Sequence, residues 1–136
     1  MSASVETVCV APNRIAAFWP HVRGFIEAAI TKCGDWSEEA VLDLLMTERG
    51  LLWIRTDGEA ISGAGVTQLI EARRGLTCNV VVYGGACDDW NAAFAPIEAY
   101  AAAEGCAAIR IQGREGWKRV FPGYGLEWIT LEKRLG

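Results

Sequence analysis

Residues 76–83 read Leu-Thr-Cys-Asn-Val-Val-Val-Tyr, and Val80-Val81-Val82 breaks any alternation of apolar and polar positions. A strand with one wet face needs that alternation, so the segment predicts a strand buried on both faces with a central place in a sheet. Gly84-Gly85 follows. Asp88 or Asp89 can then cap a helix whose face is Trp90, Phe94, Ile97 and Ala101, with a kink or restart at Pro96 and a stop at Gly105. Residues 107–112 read as another strand. A strand, a helix and a strand of this size suit a parallel crossover, so residues 76–112 predict a βαβ unit.

The chain before this unit supplies its partners. Residues 5–10 read as a short first strand, broken by Ala11-Pro12-Asn13. Ile15, Phe18, Trp19, Val22, Ile26, Ala29 and Ile30 recur at helical spacing, and Pro20 suggests that the main helix starts there, with a stop at Gly34. Asp35 and Glu38 have the spacing of a capping box for a second helix carrying Val41, Leu44 and Leu45 and ending near Gly50. Residues 51–56, Asp57-Gly58 and residues 60–70 predict a hairpin, since Asp-Gly supplies the positive φ angles of a tight turn. Arg73-Arg74-Gly75 turns the chain into the buried strand. After the βαβ unit, residues 115–120 predict a short helical turn, Pro122-Gly123-Tyr124-Gly125 a loop and residues 126–131 a last strand.

At 136 residues with a strongly apolar composition, the expectation is one α/β (α+β) domain over residues 1–136, a mixed and mostly antiparallel sheet flanked by helices. The net charge of −4 argues against nucleic acid and anionic membranes, both of which ask for a basic surface. No run approaches the roughly 20 apolar residues of a membrane span, and the start lacks signal-peptide character, which suggests a cytoplasmic protein. Five irregularly spaced cysteines and one histidine support neither a disulfide framework nor a metal site.

The order of elements resembles the GNAT acetyltransferase fold over nearly the whole chain. The last third is more specific: Ile97-Glu98-Ala99-Tyr100-Ala101, Glu104-Gly105-Cys106, Gly113-Arg114-Glu115-Gly116-Trp117, Tyr124-Gly125 and Leu131-Glu132-Lys133 are similar to small GNAT-like proteins of phages and prophages. The resemblance implies acetyl-CoA in a splay beside the buried strand, with pantetheine against the backbone of Val81, Val82 and Tyr83. It also implies diphosphate at the N–H groups of Gly84, Gly85 and Ala86, before a helix N-terminus. An amine would be the substrate and the host cytoplasm, or a virion, the location.

Two departures qualify that expectation. The family's cofactor loop, Q/R-x-x-G-x-G/A, is missing, and Asp88 and Asp89 stand where the phosphates would come, so acetyl-CoA is expected to bind weakly or not at all. Phe121 occupies the position where many such enzymes carry a proton-donating Tyr, leaving Tyr124, three residues on, as the candidate catalytic residue. The predicted strand offers no acidic base; Asn79 can orient a water. Glu59, Glu71 and Glu127 read as solvated, His21 as a first-turn helix residue, and Cys78 and Cys106 as core. Arg110, Arg114, Lys118 and Arg119 form the one basic concentration. Two readings stay open: an acyl-CoA-dependent N-acyltransferase, or a catalytically silent phage protein that partners other phage proteins in virion assembly.

Overall fold

A computed structural model describes residues 4–32, 36–111, 117–121, 123–125 and 131–135. Five strands form one sheet in the order β1 (Glu6–Val10), β2 (Leu51–Thr56), β3 (Ile61–Ala72), β4 (Gly75–Gly85) and β5 (Ala108–Ile111). The first four are antiparallel to their neighbours, and β5 runs parallel to β4. Helices α1 (Ile15–Lys32) and α2 (Glu38–Met46) cover one face; α3 (Trp90–Ala103) connects β4 to β5 over the other, and α4 (Trp117–Val120) is a single turn. The expected βαβ unit is present.

β4 has strands on both sides and eight consecutive buried residues, Thr77 to Gly84, which explains its unbroken apolar run. By count the middle strand is β3. The α1 face packs Val10, Leu52, Ile54, Ala64, Val66, Val81 and Val82 against Ile15, Val22 and Ile26 of α1 and Val41, Leu44 and Leu45 of α2. Under α3, one cluster gathers Val80, Tyr83, Ala93, Phe94 and Phe121, and another gathers Trp53, Cys78, Ile97 and Ala101.

Several boundaries differ from the sequence reading. Helix α1 begins at Ile15 and runs through Pro20, not from it. Proline costs one helical hydrogen bond, but Ile15 is buried and Phe18 and Trp19 pack on the core, so apolar burial holds the first turn in place. The cap of α2 is Ser37, whose Oγ accepts from the Ala40 N–H at 3.1 Å; Gly34 and Asp35 lie outside the described residues. Pro96 neither breaks nor restarts α3, because Phe94 and Ile97 on either side of it are fully buried. Gly105 ends that helix as expected, with φ +81° and bonds from the Gly105 N–H to Ala102 O and from the Cys106 N–H to Ala101 O. The β2–β3 connection is a four-residue loop rather than a two-residue turn. Asp57 Oδ1 accepts from the N–H groups of Glu59 and Ala60, and this fixes it. Of the expected last strand, residues 126–131, all but Leu131 lie outside the described residues, as do Glu115, Gly116 and Pro122, and Leu131 is in no strand.

Candidate functional site

The β3–β4 ladder steps from Val66↔Val82 to Thr67↔Val80, leaving Val81 as an extra residue on β4. Such a bulge sets two neighbouring side chains on one face. Val81 and Val82 both enter the core under α1, whereas Val80 and Tyr83 both lie under α3. The strand β5 leaves β4 at the same level: their last pair is Val80↔Ile111, while β3 stays paired with β4 as far as Gly85. From Val81 to Gly85, β4 therefore has a strand on one side only among the described residues.

Asn79 Oδ1 and the Tyr83 hydroxyl are buried without a hydrogen-bond partner among the described residues, and they stand two positions either side of Val81. Buried polar atoms are nearly always paired, so each orphan needs its own account; Tyr83 lies under α3, and Asn79, between Cys78 and Val80 of that layer, alternates to the other face. Asn79, expected to orient a water, keeps its acceptor open. Burial pushes the Tyr83 phenol up to about 12, Cys87 adds to the shift and Arg55 opposes it.

The two glycines have packing reasons of their own. A Cβ on Gly84 would overlap the backbone carbonyl of Phe25, so the glycine lets α1 lie directly on β4. A Cβ on Gly85 would overlap Ser62 O, and its φ is +120°. Both end the strand instead of forming a separate turn. Beyond them Ala86 is exposed, and Asp89 caps α3 by accepting from the Ala92 N–H at 3.1 Å, which engages one of the amides that an anion would use. Asp88 is exposed beside it. The backbone of Val81, Val82 and Tyr83 thus runs along the side of β4 that β5 leaves unpaired among the described residues, and the carboxylates of Asp88 and Asp89 stand just beyond it at the start of α3.

Tyr124 meets Phe121 in a tilted contact with ring centroids 5.0 Å apart, and Phe121 meets Phe94 likewise at 4.8 Å. The Tyr124 hydroxyl donates to Glu98 Oε2 at 3.1 Å. Burial first, and then the Glu98 carboxylate, raise its pKa, so the phenol keeps its proton at neutral pH. That proton is already directed at α3. Phe121, at the usual Tyr position, is fully buried in the cluster under α3.

The remaining candidates stand apart. Burial, with a smaller push from Cys106, raises the Cys78 thiol to about 11, and Cys106 is raised as well; neither is a ready thiolate. His21 lines a shallow open cleft with Glu59 and Ile61. Glu71 is exposed at the end of β3, and Arg110 lies on β5 in register with Asn79. Glu127 and Arg114 are outside the described residues, and the Lys118 side chain is too. Among the described residues no three His, Cys, Asp or Glu side chains are grouped to hold a metal, and no helix is long and apolar enough to cross a membrane. The bulge at Val81 and the lean of the Tyr83 side chain across β3 were not foreseen. Gly63 and Gly65, alternating along β3, were the available signal, since they leave room for a large neighbouring side chain.

No protein-family profile matches the chain, and no curated protein matches it in sequence. Its fold is nevertheless shared with solved acetyltransferases. An aminoglycoside acetyltransferase from an uncultured soil metagenomic sample, in complex with sisomicin, superposes with a TM-score of 0.68 at 11% identity over 97% of both chains. A GNAT family acetyltransferase of Staphylococcus aureus gives 0.60 at 12% identity, covering 97% of this chain and 99% of that one. A predicted acetyltransferase of Clostridium acetobutylicum, solved with acetyl-CoA, gives 0.59 at 11% identity over 98% and 96%. The chain has the GNAT acetyltransferase fold.

Proposed function

We propose that this protein is an acyl-CoA-dependent N-acyltransferase. The observation that carries the reading is the parting of β5 from β4 at Val80, beside a bulge, which among the described residues leaves the far end of β4 open along one side. In this reading the thioester lies against Val81, Val82 and Tyr83. An amine nitrogen attacks its carbonyl carbon; the C–N bond forms, the C–S bond breaks and its electron pair stays on sulfur. The proton lost by the amine passes to water held at Asn79, and the thiolate takes one from Tyr124 once that hydroxyl leaves Glu98. The soil acetyltransferase solved with sisomicin favours a polyamine-like acceptor.

A second reading has its own support. Asp89 occupies the start of α3, and Tyr124 is held by Glu98, as in a fold kept without its chemistry. A silent phage protein with a structural role in a virion, made in the host cytoplasm, fits that arrangement. Calorimetry with acetyl-CoA separates the two. The acyltransferase reading expects weak binding that tightens in Asp88→Asn/Asp89→Asn, because like charges at about 4 Å cost about 1 kcal/mol even in water, and thiol release when an amine is added. No binding at millimolar cofactor by either form rejects it in favour of the silent protein.

A further inference from the structure

On the α3 face the Tyr83 side chain leans across β3. Its ring fills the space a Cβ on Gly65 would need, and its hydroxyl reaches Gly63, where an added Cβ would stand 3.4 Å from the phenol oxygen and 3.6 Å from Arg55 Cβ. Tyr83 and the first atoms of the Arg55 side chain therefore flank one bare point of the sheet. Arg55 Nη1 in turn donates to Thr7 Oγ1 at 3.2 Å on β1. Thr7 is 6% and Tyr83 7% exposed, so two of the three polar side chains are more than nine-tenths buried.

The hydrogen bonds do not balance. The Tyr83 hydroxyl has no partner. The Thr7 oxygen accepts from Arg55, and among the described residues its own O–H has no acceptor. Arg23 and Arg49 each meet carboxylates, whereas half-buried Arg55 meets none among the described residues, in a chain with 17 acidic and 13 basic side chains. The ionisable groups acting on the phenol are Cys87 and Arg55, with no carboxylate between them. The group is rich in donors and carries a positive charge, with no carboxylate beside it among the described residues. Water could accept from the hydroxyls but would leave the Arg55 charge unpaired, whereas an anionic oxygen accepts from these donors and pairs the charge as well.

We propose that Arg55, Thr7 and Tyr83 form an oxyanion site that takes a phosphate or carboxylate group. The site lies over β1, β2 and β3, on the opposite side of β4 from the side that pairs with β5, so it does not depend on the thioester reading above. It gives the protein a place to fix the anionic end of a ligand, with Arg55 at the rim and Tyr83 at the floor.

The test is NMR of protein labelled at the tyrosine ring carbon bearing the hydroxyl. The chain has three tyrosines, and the Tyr83 signal is the one lost in Tyr83→Phe. Inorganic phosphate and acetate are titrated separately, with sodium chloride at matched ionic strength as the reference. A saturable shift of the Tyr83 signal with either oxyanion supports the site, and the more effective one identifies the class of ligand. Arg55→Gln should weaken that response about tenfold or more, the loss of a charge-assisted bond, and Thr7→Val should weaken it less. Unmoved Tyr100 and Tyr124 signals in each variant show that it is folded. An equal response to chloride, no saturation with either anion, or an unchanged response in both folded variants overturns the proposal.

Discussion

Tyr83 holds its proton more tightly folded than unfolded, and that asymmetry has a thermodynamic consequence. Burial raises the phenol from 10 to about 12. Above the lower value the unfolded chain releases a proton that the folded chain keeps, so stability is intact below about pH 10 and falls as pH rises toward 12. A shift of this size corresponds to about 2–3 kcal/mol, and Tyr100 and Tyr124, raised as well, act in the same direction. Urea midpoints measured on either side of pH ~10 should show the fall, and Tyr83→Phe should reduce it. An undiminished alkaline loss in Tyr83→Phe would assign the effect to other groups. At this scale the sequence was legible in part. Tyr83 stood in the candidate set, but the reason it matters, a hydroxyl carried across two bare glycines, needs a register that no local signal contains. Gly84 shows the same limit: its glycine identity follows from the Phe25 carbonyl, 59 positions away in the chain.

Element ends are set by local chemistry where solvent is near and by packing where it is not. Asp89 and Gly105 at the ends of α3 were readable because caps act through the nearest few amides and carbonyls. Pro20 and Pro96 pointed to helix boundaries, yet buried neighbours outweighed a single lost hydrogen bond at each. The end of α2 was set near Gly50, but the left-handed residue is Glu48 at φ +57°. Its N–H bonds Leu45 O, and that of Arg49 bonds Leu44 O, the pattern that glycine usually supplies. A side chain in this conformation costs roughly 1 kcal/mol, offset in part by the extra freedom glycine has when unfolded. Glu48→Gly should therefore stabilise the protein by about 0.5 kcal/mol, read as a higher urea midpoint with unchanged slope. A lower midpoint would mean that the Glu48 side chain contributes more than its backbone strain removes.

Across the whole molecule, one sheet separates two apolar layers, and the bulge at Val81 is where the strand changes which layer it feeds. The topology was legible because the βαβ unit and the hairpins leave few ways to order the strands. The layers were not, because a one-residue bulge reverses every facing beyond it. Ile26 belongs to the layer under α1 and α2, Phe94 to the layer under α3, and both are fully buried. Ile26→Val and Phe94→Leu each remove little enough to leave the protein folded, and Ile26→Val should cost about 0.5–1.5 kcal/mol. If the sheet isolates the layers, the double variant should lose the sum of the two single losses within about 0.5 kcal/mol, since residues without shared partners act independently. Denaturant titration of the four proteins measures this. A coupling well beyond that margin would show that β4 passes strain from one face to the other through Val80 and Val81, and the two layers would then have to be treated as one core.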